Sequence, residues 1–345
     1  MGGHDPATLF GLIAFVLLSL QLDTPAMAQD DPLNRVHIQP PAPTAPAATD
    51  PATPKPVEGK AALTARSGQR IRVDVNLVLV PVIVTDPLNR LVTGLDKDNF
   101  SLFENNSAQR IKTFSCEDAP VSIGVIFDLS GSMSNKVIRA RDSILQFLKT
   151  ANPQDEFFVI GFNDRPELIE DFTSSVDDIE ARLATVRAGH RTALLDAIYF
   201  GLTKMKQAKY ERKALLVVSD GGDNRSRYTE NEVRSVVREA DVQIYSIGIF
   251  DPYAPTTEER LGPILLNDIS DETGGRLFRV DDVADMADIA TKISAELRNE
   301  YVLGYKPEDA KRDGKWRKLK VKLAPPAGLP PLTVHARNGY YAPLQ

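Results

Sequence analysis

Val121-Ser122-Ile123-Gly124-Val125-Ile126-Phe127-Asp128-Leu129-Ser130-Gly131-Ser132-Met133 decides how this chain is read. Its first seven residues carry no charge and little alternation, the pattern of a strand covered on both faces. The segment then breaks into a polar, glycine-containing loop, and helical periodicity follows over Val137–Leu148. Working outward, strands are expected at Phe157–Gly161, Ala214–Val218, Val242–Ile249 and Arg276–Val280. Helices are expected at Val176–Val186, Ala193–Ala208, Glu232–Ala240, Gly262–Glu272 and Val283–Leu297. Strands alternating with helices predict an α/β fold with a mostly parallel sheet and helices on both faces, over residues 119–298.

The flanks have a different period. Arg72–Thr85 alternates and then turns apolar, Asp86-Pro87-Leu88-Asn89 reads as a turn, and Arg90-Leu91-Val92 begins a return. Phe100–Glu104 and Gln109–Phe114 read as short strands, as do Tyr301–Tyr305, Arg317–Leu323 and Leu332–Ala336 on the far side. So few strands on either side are marginal alone. The expectation is therefore one β-sandwich, built from residues 71–118 and 299–345, with the α/β domain inserted in it. Cys116 closes one of these apolar-alternating stretches, and a buried structural cysteine is expected there.

Upstream, Leu9–Leu22 is an uncharged apolar run followed by Ala26-Met27-Ala28, the pattern of a signal segment cleaved after residue 28, although no Lys or Arg precedes it. Residues 29–70 are rich in Pro and Ala and read as an extended linker. Export to the periplasm or the medium is the expectation, with no membrane span in the mature chain. The 345 residues carry 41 Lys and Arg against 47 Asp and Glu, a net charge of −6. A mildly acidic chain lacks the basic surface that nucleic-acid binding requires. One cysteine and four histidines, none at ligand spacing, exclude a disulfide framework and cysteine-cluster or HExxH zinc sites.

Chemistry is expected where the central strand ends. In an open α/β sheet, ligands bind beyond the carboxyl ends of the strands, at the point where strand order reverses. Asp128, Ser130 and Ser132 fall there, and Gly131 permits a tight loop. Thr192 precedes an expected helix, and Asp220 ends the strand Leu216–Ser219. Two carboxylates and three hydroxyls are hard donors that suit one divalent cation, Mg²⁺ first, with Mn²⁺ or Ca²⁺ also compatible. The plainer alternative makes Ser132, Ser134 and Thr192 helix caps and Asp220–Asn224 a solvated loop. Asp196 is expected to make an outer hydrogen bond or face solvent. Asp223, Asp251 and Asp271 are expected at the surface, with Asp223 able to tune its loop.

Asp128-Leu129-Ser130-Gly131-Ser132, with His190-Arg191-Thr192-Ala193-Leu194-Leu195-Asp196-Ala197 and Ser219-Asp220-Gly221, resembles the von Willebrand factor A (VWA) domain family and its metal-ion-dependent adhesion motif (MIDAS). The ending Arg337-Asn338-Gly339-Tyr340-Tyr341 and the flanks resemble exported acidobacterial VWA-related proteins. The resemblance implies a Rossmann-like domain with a divalent cation on Asp128, Ser130, Ser132, Thr192 and Asp220. It also implies a protein partner whose Asp or Glu completes the coordination, over a rim of Gly131, Met133, His190, Arg191 and Gly221. An adhesion-type binding module without enzymatic activity is the expected function. The alternative is a scaffold component of a cell-envelope assembly with a structural ion. Hydrolysis lacks support: no G-x-S-x-G elbow, phosphate loop or histidine-paired nucleophile is present.

Overall fold

The computed structural model describes residues 77–344, apart from Glu117, residues 251–256 and Ala310. The signal segment, the Pro/Ala-rich linker, residues 72–76 of the first expected strand, and Asp251 lie outside the described residues.

The apolar run at 121–127 becomes β5 (Val121–Asp128), each of whose residues is buried. It lies in the middle of a six-stranded sheet with β6 (Glu156–Phe162), β7 (Pro166–Thr173), β8 (Arg212–Ser219), β9 (Gln243–Gly248) and β10 (Leu277–Arg279), in the order β10-β9-β8-β5-β6-β7. All neighbours pair in parallel except β6 and β7. Strand order reverses beside β5, because the chain next forms β6 on one side and later β8 on the other. The crevice between the ends of β5 and β8 is thereby the topological switch point.

Helices cover both faces. On one, α1 (Val137–Thr150), α2 (Val176–Leu183) and α6 (Met286–Arg298) set Ile144, Phe147, Ile179, Leu183, Ile289 and Ile293 against Val125, Phe127 and Tyr245. On the other, α3 (Leu194–Lys204), α4 (Glu230–Glu239) and α5 (Thr257–Thr273) pack Leu194, Ile198, Val233, Val237 and Leu266 against Ile126, Phe158 and Val217. Alternate residues of each strand feed opposite clusters, as the pleat requires. The strand β7 was not expected. Its half-exposed pattern and acidic side chains hide the alternation, and its opening proline suits a sheet edge. The helix expected from Gly262 begins five residues earlier and carries Pro263 inside it.

The residues on either side form two four-stranded sheets. One is β13-β1-β11-β4, from β1 (Val78–Thr85), β4 (Ile111–Ser115), β11 (Tyr301–Tyr305) and β13 (Thr333–Ala336). The other is β14-β12-β2-β3, from β2 (Phe100–Glu104), β3 (Ser107–Gln109), β12 (Trp316–Leu323) and β14 (Gly339–Tyr341). Val80, Val82, Val84, Phe100, Leu102, Tyr301, Leu303, Tyr305 and Leu319 share one apolar cluster. The stretch expected as a single strand at Gln109–Phe114 is two: β3 pairs with β2 in one sheet and β4 with β11 in the other. The return expected at 90–92 is a lone bridge between Thr85 and Leu91. Cys116 is exposed, contrary to expectation, because it lies past the end of β4, a strand in which only Ile111 is buried. Among the described residues no helix is long and apolar enough to cross a membrane.

Candidate metal centre

Three loops meet at the switch point, and their backbones are tied to one another. The loop after β5 is held to the loop before α3 by Gly131 N–H donating to the His190 carbonyl at 3.0 Å and Gly189 N–H donating to the Leu129 carbonyl at 2.8 Å. Close approach is part of this fit: a Cβ on Gly131 would sit 3.2 Å from the His190 oxygen. The loop after β8 is held to the same segment, since Asn224 and Arg225 N–H groups both donate to the Thr192 carbonyl at 3.0 Å. Asn224 Oδ1 accepts from Thr192 N–H at 3.1 Å. Thr192 is thus fixed at both its amide and its carbonyl by the segment that follows Asp220.

Asp128 is fully buried. Its Oδ1 accepts from Ser130 N–H at 2.9 Å and its Oδ2 from the Ser219 hydroxyl at 2.5 Å. Ser130 Oγ lies 3.1 Å from Ser132 Oγ. Ser130, Thr192 and Asp220 are buried, whereas Ser132 faces solvent. Burial first, and then the like charge of Asp220, push the Asp128 carboxyl up to about 7, against the opposing hydrogen bonds from Ser130 and Ser219. Among the described residues, no Lys, Arg or His side chain bonds to either carboxylate. Among the described residues no group of three or more His, Cys, Asp or Glu side chains is gathered, so the carboxylates here number two and the remaining oxygens are hydroxyls.

The capping alternative does not describe these hydroxyls. The turn at Gly131–Met133 and helix α1 start without side-chain caps, and α3 starts from Ala193. The Ser134 hydroxyl instead donates back to the Gly131 carbonyl at 2.7 Å. The amides of α3 are served by Asp223, whose Oδ2 accepts from Leu195 N–H at 2.8 Å, and by Ser226, whose Oγ accepts from Asp196 N–H at 3.0 Å. Asp196 in turn accepts from the N–H groups of Arg227 and Tyr228, at 2.8 and 3.0 Å. Asp223 and Asp196 are therefore loop anchors.

Two expected rim residues are not at a rim. Met133 is fully buried because the short turn after Ser132 swings it into the core shared by α1 and α6. Gly221 is buried under α5: with φ at +79°, a Cβ there would meet the Gly262 backbone at 2.6 Å. Gly131, His190 and Arg191 are exposed around the three loops. Sequence reasoning passed over Ser219 and Asn224, although both lie within four residues of Asp220. Their side chains orient Asp128 and Thr192.

The donor chemistry fits a hard divalent cation. Two buried carboxylates face one another at a strand-end crevice without a counter-charge, beside hydroxyl oxygens not spent on capping. Fold and candidate site together define an α/β domain whose polar loop side chains gather beyond the carboxyl ends of a mostly parallel sheet. Residues 123–222 match the family described as von Willebrand factor type A domain, and the α/β body has the VWA-type fold. The chain is also similar to solved structures. Among them are a von Willebrand factor type A protein from Catenulispora acidiphila (14% identical, 76% of this chain and 73% of that one, TM-score 0.46), BatB from Bacteroides thetaiotaomicron (18%, 51% and 98%, TM-score 0.42), and proximal thread matrix protein 1 from the mussel byssus with a zinc-occupied MIDAS motif (19%, 56% and 50%, TM-score 0.44). A Borreliella burgdorferi protein titled "Uncharacterized protein" is 22% identical over 48% of this chain. The match spans 55% of that relative's length.

Proposed function

We propose that the chain is an exported, metal-ion-dependent protein-binding module. Asp128, Ser130, Ser132, Thr192 and Asp220 hold one divalent cation, Mg²⁺ in preference to Mn²⁺ or Ca²⁺, and a partner's Asp or Glu side chain completes the shell. The observation that carries this reading is the pair of buried carboxylates, Asp128 and Asp220, with no Lys, Arg or His side chain among the described residues bonded to either. When bound, the cation supplies an electrophilic position that a carboxylate can fill. The chain's residues do the rest: Ser219 and the Ser130 amide orient Asp128, and Asn224 orients Thr192. Among the described residues no nucleophile with a histidine base stands beside them. His190 is an exposed side chain 3.4 Å from Asp164, and His335 lies on β13. The binding reading is favoured over hydrolysis for that reason.

Calorimetric titration of chelator-stripped protein with Mg²⁺ and Mn²⁺ tests the site. About one site is expected, absent in Asp128→Ala. At a hundredfold excess over Kd, the cation should raise unfolding free energy by about 2.7 kcal/mol in the wild type only. Absence of binding, with and without a carboxylate-bearing peptide, overturns the proposal. Partner binding that survives EDTA while melting temperature falls would move the reading to a scaffold with a structural ion.

A further inference from the structure

The loops around the cation site carry a charge opposite to that of the chain. Arg191, Arg225 and Arg227 are exposed, and none forms an ion pair or side-chain hydrogen bond with a described residue. All three lie against Thr192 and the first turn of α3. Arg191 is its sequence neighbour, Arg225 N–H donates to its carbonyl at 3.0 Å, and Arg227 N–H donates to Asp196 at 2.8 Å. His190 adds a further exposed ring.

The acidic side chains of the same loops are engaged elsewhere. Asp223 is spent on the amides of Leu195, Arg225 and Ser226, and Asp196 on those of Arg227 and Tyr228. Asp164 accepts from the Arg191 amide at 3.2 Å and faces His190. Just beyond, Glu230 pairs with Arg234, and Glu232 caps Thr229. At this end of an acidic chain, net −6, the carboxylates just named are therefore bonded or paired, while the guanidinium groups of Arg191, Arg225 and Arg227 stay exposed without a described partner. Potential gathered in this way selects and steers a partner of opposite sign.

We infer that the partner segment is an acid-rich peptide: one carboxylate engages the cation, and neighbouring Asp or Glu side chains lie over Arg191, Arg225 and Arg227. This rests on the cation reading above and adds the class of sequence recognised. A polypeptide is favoured over nucleic acid because the rim surrounds a site built for a carboxylate and the rest of the chain is acidic.

The test uses two fluorescent ten-residue peptides in Mg²⁺ buffer, one with four consecutive Glu and one with a single Glu, with duplex DNA alongside. The four-Glu peptide should bind at least tenfold more tightly at low salt, and the advantage should shrink at 0.5 M NaCl. Each of Arg191→Gln, Arg225→Gln and Arg227→Gln should weaken that peptide about two- to fivefold, the range of an exposed ion pair. The single-Glu peptide should be little affected. Equal affinities of the two peptides, unchanged affinity in the triple variant, or DNA binding as tightly as the four-Glu peptide overturns the inference. Parallel cation titration of the same variants keeps the two proposals apart. Arginine-dependent peptide binding that persists in EDTA, with no cation bound, would sink the cation reading and leave the rim standing.

Discussion

The central sheet has a cluster of buried carboxylates at each end, and the two clusters are built differently. At the carboxyl ends of the strands, Asp128 and Asp220 are buried together, and among the described residues no cationic side chain bonds to either. At the opposite edge, Glu296 and Glu300 are equally buried, but each has an arginine. Arg212 donates to Glu300 Oε1 at 2.9 and 2.6 Å, and Arg276 bonds Glu296. Arg212 also donates to the Ala119 and Leu297 carbonyls, and Arg276 to Asn89 Oδ1 at 3.0 Å. Hydrogen-bond accounting alone would point to the arginine end rather than to the proposed cation site. Among the described residues, the buried side-chain atoms lacking a partner are Gln243 Nε2, Tyr245 OH, Glu296 Oε2 and Glu300 Oε2, and all sit with the arginines. Charge accounting separates the two. One end has its counter-ions built in, Arg212 and Arg276, and the other has none among the described residues, which is what the proposed cation would supply.

The strongest way to break this comparison is to remove a built-in counter-ion. Arg212→Ala leaves the Glu300 carboxylate buried and alone. That should cost about 3–5 kcal/mol, the range for stranding one partner of a buried pair. Asp128→Asn in metal-free protein should instead leave stability unchanged or raise it, because it removes a buried charge that faces another of the same sign. Urea denaturation of the two variants measures both. Similar losses would mean that the ends do not differ as argued.

A smaller and more discriminating effect is the pH dependence of metal-free protein. Burial pushes the Glu296 carboxyl up to about 7, with Arg276 opposing. An acid raised in the folded state binds more protons there than in the unfolded chain. Its contribution is present below about pH 4 and is lost as pH rises through 7. His335 works in the other direction. Burial and the charge of Arg276 hold its imidazole down to about 4, so stability is lost as pH falls from about 6.5 toward 4. The two contributions therefore oppose each other between about pH 4.5 and 6.5, and the Glu296 decline stands alone only between about 6.5 and 7. Glu296→Gln should flatten the alkaline decline, and saturating Mg²⁺ should lessen what remains, since Asp128 is also pushed up in the metal-free protein. An alkaline limb unchanged in Glu296→Gln would remove Glu296 from this account.

The parts of the molecule legible in the sequence are those where one residue's neighbours in sequence determine its surroundings. The apolar runs of β5 and β8 announce strands buried on both faces, and α1 begins where its periodicity begins, at Val137. The loops bearing Asp128, Thr192 and Asp220 reach one edge because every parallel strand ends there. What stayed hidden depends on pairing. Alternation across Gln109–Phe114 cannot show that the chain changes sheets at Arg110. Apolar character cannot say that Met133 points inward while its neighbour Ser132 points out. The inward turn of Asp196 and Asp223, which leaves Arg225 and Arg227 as the exposed charges, is a property of loop hydrogen bonds that no spacing encodes.

The finest test of the comparison concerns how each end is held. At the arginine end, the ion pairs do the positioning themselves. At the Asp128 end, positioning falls to neutral side chains, of which Asn224 reaches furthest. Its Oδ1 takes the Thr192 amide, while its own amide joins Arg225 on the Thr192 carbonyl. Asn224→Ala deletes the first contact and keeps the second, so the loop should fold with at most about 1 kcal/mol lost, the net worth of one hydrogen bond. Cation affinity should fall by about tenfold, the lower end of the effect of removing an outer orienting group. Asn224→Asp should not rescue it, because a third carboxylate enters a cluster that already lacks counter-charge. Calorimetry gives affinity and urea denaturation gives stability. A loss of affinity with stability preserved places Asn224 in the support of the site, whereas a parallel loss of both would make it part of the fold alone.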